Sequence, residues 1–253
     1  MDRSKLDDLL QEMVERGASD LFLKAGQRPC IRLDGEIVLL DHPEMTMDDT
    51  HACAIMMMTD EQAEEFRRNP EMDLAWSVRG VGRFRVNIMR QRGSTALVFR
   101  YISNPNFSFE ELNLPLVIQD LAEKRRGLIL VTGTTGSGKS TTLAAIINHI
   151  NTTRRCHIVT IEDPIEFLHQ DEYAIVSQRE IGFDTRSFAD ALKHVLRQSP
   201  DVILIGEMRD LETISTAIAA AETGHLVLST LHTIDAVQTI ERIINYFPAY
   251  LHP

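Results

Sequence analysis

Residues 127–142, Gly-Leu-Ile-Leu-Val-Thr-Gly-Thr-Thr-Gly-Ser-Gly-Lys-Ser-Thr-Thr, constrain this chain more than any other stretch. Leu128 to Val131 is a short apolar run that reads as a buried parallel strand. Gly133, four residues, then Gly138, Lys139 and Ser140 match G-x-x-x-x-G-K-[ST] without a mismatch. Thr141 to Ile147 then carries helical periodicity. Strand, glycine-rich loop and helix are the context in which this motif holds a triphosphate. The glycines let consecutive main-chain N–H groups converge on one anion, and the helix adds the positive end of its dipole. The expected nucleotide-binding set is Gly133, Thr134, Thr135, Gly136, Ser137, Gly138, Lys139, Ser140 and Thr141. Lys139 is expected to reach the β- and γ-phosphates, and the Ser140 hydroxyl to ligate Mg²⁺. ATP and Mg²⁺ are therefore the expected cofactors.

The 253 residues have room for two modest domains. A net charge of −11 disfavours a polyanionic partner, and no basic stripe stands out, so no nucleic-acid partner is expected. Cys30, Cys53 and Cys156 lie far apart without a C-x-x-C pair, which argues against a disulfide framework and a tetracysteine zinc site. No signal peptide is visible, and no apolar run approaches the ~20 residues of a membrane span. The expected location is the cytoplasm, with any membrane link made through partners.

The N-terminal third alternates in a different way. Lys5 to Val14 is amphipathic, with Ser4 as its expected cap and Gly17 at its end. Asp20 to Lys24 reads as a strand, and Cys30–Leu33 and Glu36–Leu40 flank the hairpin signal Asp34-Gly35. Thr46 is expected to cap a helix through Met58, and Asp60 another through Arg68. Met56 to Met58 fits core filling better than a metal site. Met72–Val78, Arg83–Met89 and Thr95–Ile102 read as an antiparallel meander, which makes residues 1–102 an α+β domain. Arg83 and Arg85 share one strand face, and Arg100 lies on the next strand. Two readings of these arginines stay open: a solvated sheet face, or arginines that reach a phosphate in a neighbouring subunit. A polar linker follows at residues 103–112, around Asn104-Pro105-Asn106.

From residue 113 to 253, short apolar strands alternate with helices, an α/β pattern with a parallel sheet. Ligands in such sheets sit at the carboxyl ends of strands. That rule picks out Glu162 and Asp163 after His157–Ile161, a pair suited to Mg²⁺ handling and water activation, or else an acidic helix start before Pro164. It also picks out Glu207 after Val202–Ile205, a glutamate where an aspartate is more usual, and His232 after Leu226–Ser229. Asp201 precedes its strand and is expected to be structural, and Asp210 is expected to cap the helix Leu211–Glu222. His225 lies before the last strand, about 23 Å from His232 along a straight strand at about 3.3 Å per residue, so the two do not share a metal ion. An interface position is one reading of His225. The other histidines (His42, His51, His149, His157, His169, His194 and His252) show no evident pairing.

Four ordered motifs together carry a resemblance. Residues 133–142 resemble the phosphate loop of the secretion ATPases. Residues 160–167, Thr-Ile-Glu-Asp-Pro-Ile-Glu-Phe, resemble their acidic box. Residues 199–210 resemble their divergent second nucleotide motif, and residues 221–233 their histidine box. With Gly17-Ala18-Ser19-Asp20-Leu21 and Gly82-Arg83-Phe84-Arg85-Val86-Asn87, nearly the whole chain is similar to the type IV pilus retraction ATPases of that superfamily. The resemblance implies a RecA-like P-loop ATPase domain with a parallel sheet, a smaller PAS-like N-terminal domain, and a homo-oligomer, namely a hexamer. It implies that Glu162 activates the lytic water and that Glu207 and His232 serve Mg²⁺ and the γ-phosphate, with Ser140, Glu207 and Glu162 around the metal. Arg83, Arg85 and Arg100 fall where trans-acting arginines are sought. The implied partners are an inner-membrane pilus platform protein, which holds the motor peripherally at the membrane, and paralogous pilus ATPases. Assembly and type II secretion relatives carry a tetracysteine module that this chain lacks, which favours retraction over assembly; a non-hydrolysing accessory role is the further alternative. The family pattern continues with another helical segment, so residues 113–253 are expected to lack the C-terminal part of their domain.

Overall fold

The structure, a computed structural model, describes residues 1–104 and 107–248. Pro105 and Asn106 of the expected linker, and His252, lie outside the described residues. The chain divides into two compact units, Met1–Ser103 and Asn104–Pro253.

In the first unit, α1 (Arg3–Glu15) precedes β1 (Asp20–Lys24), β2 (Cys30–Leu33) and β3 (Glu36–Leu39). Then come α2 (Met47–Met57), α3 (Asp60–Arg68), β4 (Glu71–Val78), β5 (Gly82–Gln91) and β6 (Ser94–Ile102). The strands form one six-stranded sheet in the order β3-β2-β1-β6-β5-β4, antiparallel at every step. Asp34 and Gly35, with φ of 50° and 87°, make the tight β2–β3 turn, a conformation that glycine and aspartate tolerate. Alternation sorts the faces: Leu21, Leu23, Phe84, Val86, Ile88, Leu97 and Phe99 pack with Leu6, Leu10 and Met13 of α1, while Asp20, Arg85 and Arg100 turn the other way. Met56, Met57 and Met58 pack against this core. Two caps differ from expectation. Asp2 caps α1 by accepting from the Lys5 amide at 3.0 Å, so Ser4 lies inside the helix. Thr59 caps α3 in a reciprocal box with Gln62, which leaves Asp60 in the first turn, where its charge still favours the helix dipole.

The second unit holds α4 (Val117–Ala122), β7 (Gly127–Thr132), α5 (Lys139–Thr153), β8 (His157–Glu162), β9 (Ile175–Glu180), α6 (Phe188–Val195), β10 (Val202–Ile205), α7 (Leu211–Glu222), β11 (Leu226–Leu231) and α8 (Ala236–Tyr246). Its five strands are parallel, in the order β7-β11-β10-β8-β9. Both faces are covered, which is why the strands read as continuous apolar runs. Ile158, Val202, Leu204, Leu226 and Leu228 pack with Leu143, Ile146, Ile147 and Ile150 of α5. Val159, Ile161, Ile203, Ile205 and Val227 pack on the opposite face with α6 and α7.

One connection departs from the strand–helix alternation. Residues 163–174, between β8 and β9, form no helix, so Glu162 and Asp163 are not an acidic helix start. Pro164 lacks an amide and disfavours a helical Asp163. Asn151 of α5 instead serves the crossover, donating to the Gln170 carbonyl at 2.7 Å and accepting from the Glu172 amide at 3.2 Å.

Candidate active site

β7 ends at Thr132, and the chain turns through residues 133–138 before α5 begins at Lys139. Gly136 and Gly138 take φ of 77° and 90°, values that an L side chain disfavours. Gly138 is the N-cap of α5 and offers no side-chain cap, so the first amides of that helix remain for another acceptor. The Lys139 ammonium lies over the loop and donates to the carbonyls of Gly133 at 3.0 Å and Thr134 at 2.9 Å.

This loop borders a cavity of about 410 Å³. Thr135, Gly136, Gly138, Lys139, Ser140 and Thr141 line one side, and Glu162, Asp163, Glu207 and His232 line others. Gly133, Thr134 and Ser137 complete the loop behind that wall. The four loops arrive together because β7, β8, β10 and β11 are parallel and end at the same edge of the sheet.

Glu162 closes β8. Its Oε1 accepts from Thr160 Oγ1 at 2.6 Å and from Gln178 Nε2 at 3.2 Å. Burial pushes the Glu162 carboxyl above its ordinary pKa, because it strips water from the charged form, and these hydrogen bonds only partly oppose that rise. Asp163 beside it is exposed. Glu207 is set by its neighbours: Arg209 Nη2 lies 2.5 Å from one carboxylate oxygen and His232 Nε2 lies 3.7 Å from the other. The hydroxyls of Ser229 and Thr230 donate to the carbonyls of Ile205 and Gly206, both at 2.7 Å, which ties the ends of β10 and β11 together.

His225 stands at the other end of β11. Its Nδ1 lies 3.0 Å from the Ala220 carbonyl in the last turn of α7, and its own carbonyl accepts from the Gly127 amide at 3.0 Å. It is a junction between α7, β11 and β7 and does not line the cavity. Arg83, Arg85 and Arg100 belong to the first unit, on the sheet face turned away from its core. Arg100 Nε lies 2.9 Å from Asp20, and Arg85 Nε lies 4.0 Å from Asp73. Asp201 accepts from the His157 amide at 2.9 Å, a joint between β8 and β10.

Among the described residues no cluster of three or more His, Cys, Asp or Glu is set to hold a metal. Mg²⁺ bound with a nucleotide needs only one or two protein oxygens, since water and phosphate fill the rest of its shell. The hydroxyl of Ser140 and the carboxylates of Glu207 and Glu162 are hard oxygen donors around one cavity, and that donor set fits.

Sequence reasoning places Thr160 and Phe167 in the acidic box and His169 among the unpaired histidines without giving any of them a role, and it does not single out Gln178. Thr160, Phe167 and His169 also line the cavity. The sequence reads as strand only over Ala174–Val176, whereas β9 runs from Ile175 to Glu180 and so carries Gln178. The alternation Val176-Gln178-Glu180 was the available signal.

The comparisons with known proteins agree with this geometry. A family model described as type II/IV secretion system protein matches residues 3–246. The chain is 48% identical over 244 residues to the type IV pilus retraction ATPase PilT of Pseudomonas aeruginosa, covering 96% of this chain and 71% of that one. It is 46% identical to the type IV pilus ATPase PilU of the same organism, covering 98% of this chain and 65% of that one. A crystal structure of the pilus retraction motor PilT with bound ADP superposes with a TM-score of 0.87 at 49% identity, covering 97% of this chain and 72% of that one. The chain thus spans between 65% and 72% of these relatives' lengths.

Proposed function

The chain belongs to the type II/IV secretion system protein family, and we propose that it is an ATP-hydrolysing motor that powers type IV pilus retraction and twitching motility. The observation that carries this reading is that one cavity is lined by a phosphate-binding loop, a half-buried carboxyl at the end of β8 and a carboxylate–histidine pair at the ends of β10 and β11.

In this reading the amides of residues 133–141 and the Lys139 ammonium hold the β- and γ-phosphates. Ser140, with Glu207 and Glu162 nearby, would hold Mg²⁺, which would neutralise charge on the phosphate oxygens. Glu162 accepts the proton of the attacking water; its poor hydration makes it a better base than an exposed glutamate. Asp163 stands beside it at the cavity rim. Glu207 serves the metal and His232 faces the γ-phosphate end, and Arg209 keeps Glu207 from swinging away. Release of the γ-phosphate removes charge that holds neighbouring parts together, and that loss drives domain movement.

The finer parts of the proposal are a RecA-like ATPase unit, a PAS-like N-terminal unit and a hexameric ring. Arg83, Arg85 and Arg100 of one subunit then complete the site of the next, in the manner of arginine fingers. The ring works in the cytoplasm, held at the inner membrane by a pilus platform protein, alongside paralogous pilus ATPases. Retention of both Glu162 and Glu207 favours hydrolysis over a non-hydrolysing accessory role.

Phosphate release from the purified chain tests this. The rate per subunit should rise with protein concentration as rings form, and Glu162→Gln should lower it by about 100-fold or more. A Glu162→Gln protein that turns over at the wild-type rate would remove the catalytic reading, and a rate per subunit independent of concentration would remove the shared site.

A further inference from the structure

We infer that Thr160 and Gln178 are positioning residues for Glu162: they face each other across β8 and β9, clamp one oxygen of its carboxylate and fix the plane of that group at the cavity wall. The inference rests on the reading of Glu162 as the residue that readies the water.

Three relationships carry it. Thr160 and Gln178 are direct partners in the parallel ladder, and Glu162 lies two residues beyond Thr160 on the same face of β8. Both side chains address the same atom, Oε1, at 2.6 Å and 3.2 Å. Thr160 is 1% exposed, and its hydroxyl has no other hydrogen-bond partner among the described residues. At a buried strand position valine fills the same volume without burying a hydroxyl, so the hydroxyl acts on the carboxylate.

Gln178 adds rigidity. Its Nε2 also donates to the Phe167 carbonyl at 2.8 Å, and its Oε1 accepts from the His169 amide at 2.8 Å. A flipped amide would set Oε1 against the Glu162 carboxylate and the NH₂ against an N–H, so only one orientation satisfies the network. Phe167 and His169 line the cavity. Gln178 therefore joins the cavity wall to the carboxylate. The Glu166 backbone also hydrogen-bonds Glu162, which outweighs the repulsion from the Glu166 carboxylate, so the loop steadies the same group that Thr160 and Gln178 hold. A general base works only within hydrogen-bond reach of its proton, and misplacement by about 1 Å can cost about 100-fold in rate.

The test uses the full chain and measures kcat, KM for ATP and ADP affinity by calorimetry. Thr160→Val and Gln178→Met should each lower kcat by about 10-fold or more while ADP affinity stays within about twofold. Thr160→Ser should restore kcat. In a Glu162→Gln background neither change should lower the residual rate further, because a residue that acts only through Glu162 has nothing left to act on. Wild-type kcat in Thr160→Val while Glu162→Gln is inactive would overturn the inference and leave the base reading standing. The same fractional loss with and without Glu162 would also overturn it. Wild-type turnover in Glu162→Gln would overturn the base reading first, and the clamp with it. Should Gln178→Met fail to fold, the valine and serine variants of Thr160 decide alone.

Discussion

Arg100 donates its Nε to Asp20 at 2.9 Å, and Asp20 is a carboxylate only 2% exposed. The ladder places Asp20 between Arg32 on β2 and Arg100 on β6. Arg32 Nε lies 3.4 Å from the second oxygen, which also accepts from Ser19 Oγ at 2.7 Å. Both arginines approach through Nε; Arg32 also donates its Nη1 to the Gly35 carbonyl at 3.1 Å, which leaves the outer end of the Arg100 guanidinium for another acceptor. Asp20→Asn exchanges a charged acceptor for a neutral one at a site that water cannot reach. Because the arginines stay hydrated, the loss should be about 1–3 kcal/mol, not the larger penalty of a fully buried broken pair. Urea unfolding checks this, with an unchanged m-value as the sign that only stability moved.

Lys139→Ala should leave the fold intact and weaken nucleotide binding. The ammonium contacts only loop carbonyls, and no buried charge depends on it. A charge-assisted bond to phosphate contributes about 1.5–3 kcal/mol, so ADP or ATP affinity should fall by about 10- to 100-fold or more. Calorimetry reads the loss, and thermal unfolding without nucleotide should match the parent.

What was legible in the sequence was local. The run from Leu128 to Ile147 contains its own strand, turn and helix signals, and the Asp34-Gly35 hairpin and the Asp210 cap need only a few adjacent residues. The carboxyl-end rule then brought Glu162, Glu207 and His232 to one edge without any distance being known. Pairing across long separations was not legible. That β1 lies between β2 and β6, and so sets Asp20 against Arg100, is decided 80 residues away. Thr160 meets Gln178 only because an irregular crossover fixes the β8–β9 register, and no turn signal encodes that register. The two misassigned caps have a simpler cause: Asp2 and Ser4 are equally good caps by type, and Asp60 outranks Thr59 by type, but Thr59 has Gln62 three residues on and so closes a reciprocal box.

Asp210 carries a cap next to the site. Its carboxylate accepts from the Thr213 amide at 2.8 Å and from the Thr213 hydroxyl at 2.7 Å, at the start of α7. Asp210→Ala should cost about 1–2 kcal/mol of stability. Asp210→Asn should recover most of that, since an amide oxygen still accepts from the amide. The stretch between them and β10 carries Glu207 and Arg209, so turnover in Asp210→Ala should fall more than stability alone explains, while ADP affinity holds. Denaturant midpoints and phosphate release, measured on the same preparations, separate the two effects.

His169 makes stability pH-dependent. Burial pushes its imidazole down to about 4, because the charged form is poorly solvated there, and Nδ1 has no hydrogen-bond partner among the described residues. The unfolded chain titrates near 6.5. Between these values the unfolded state binds more protons than the folded one, so stability rises with pH across that window. The contribution is complete above about 6.5 and is lost as pH falls toward about 4. His169→Leu should flatten this limb while leaving the steeper loss below pH ~4, which belongs to the carboxylates. Urea midpoints at half-unit steps between pH 4.5 and 7 check it. Because the raised Glu162 carboxyl acts with the opposite sign in this window, the comparison decides: a His169→Leu protein whose midpoint follows pH as the parent's does would show that the imidazole titrates alike in the folded and unfolded chain.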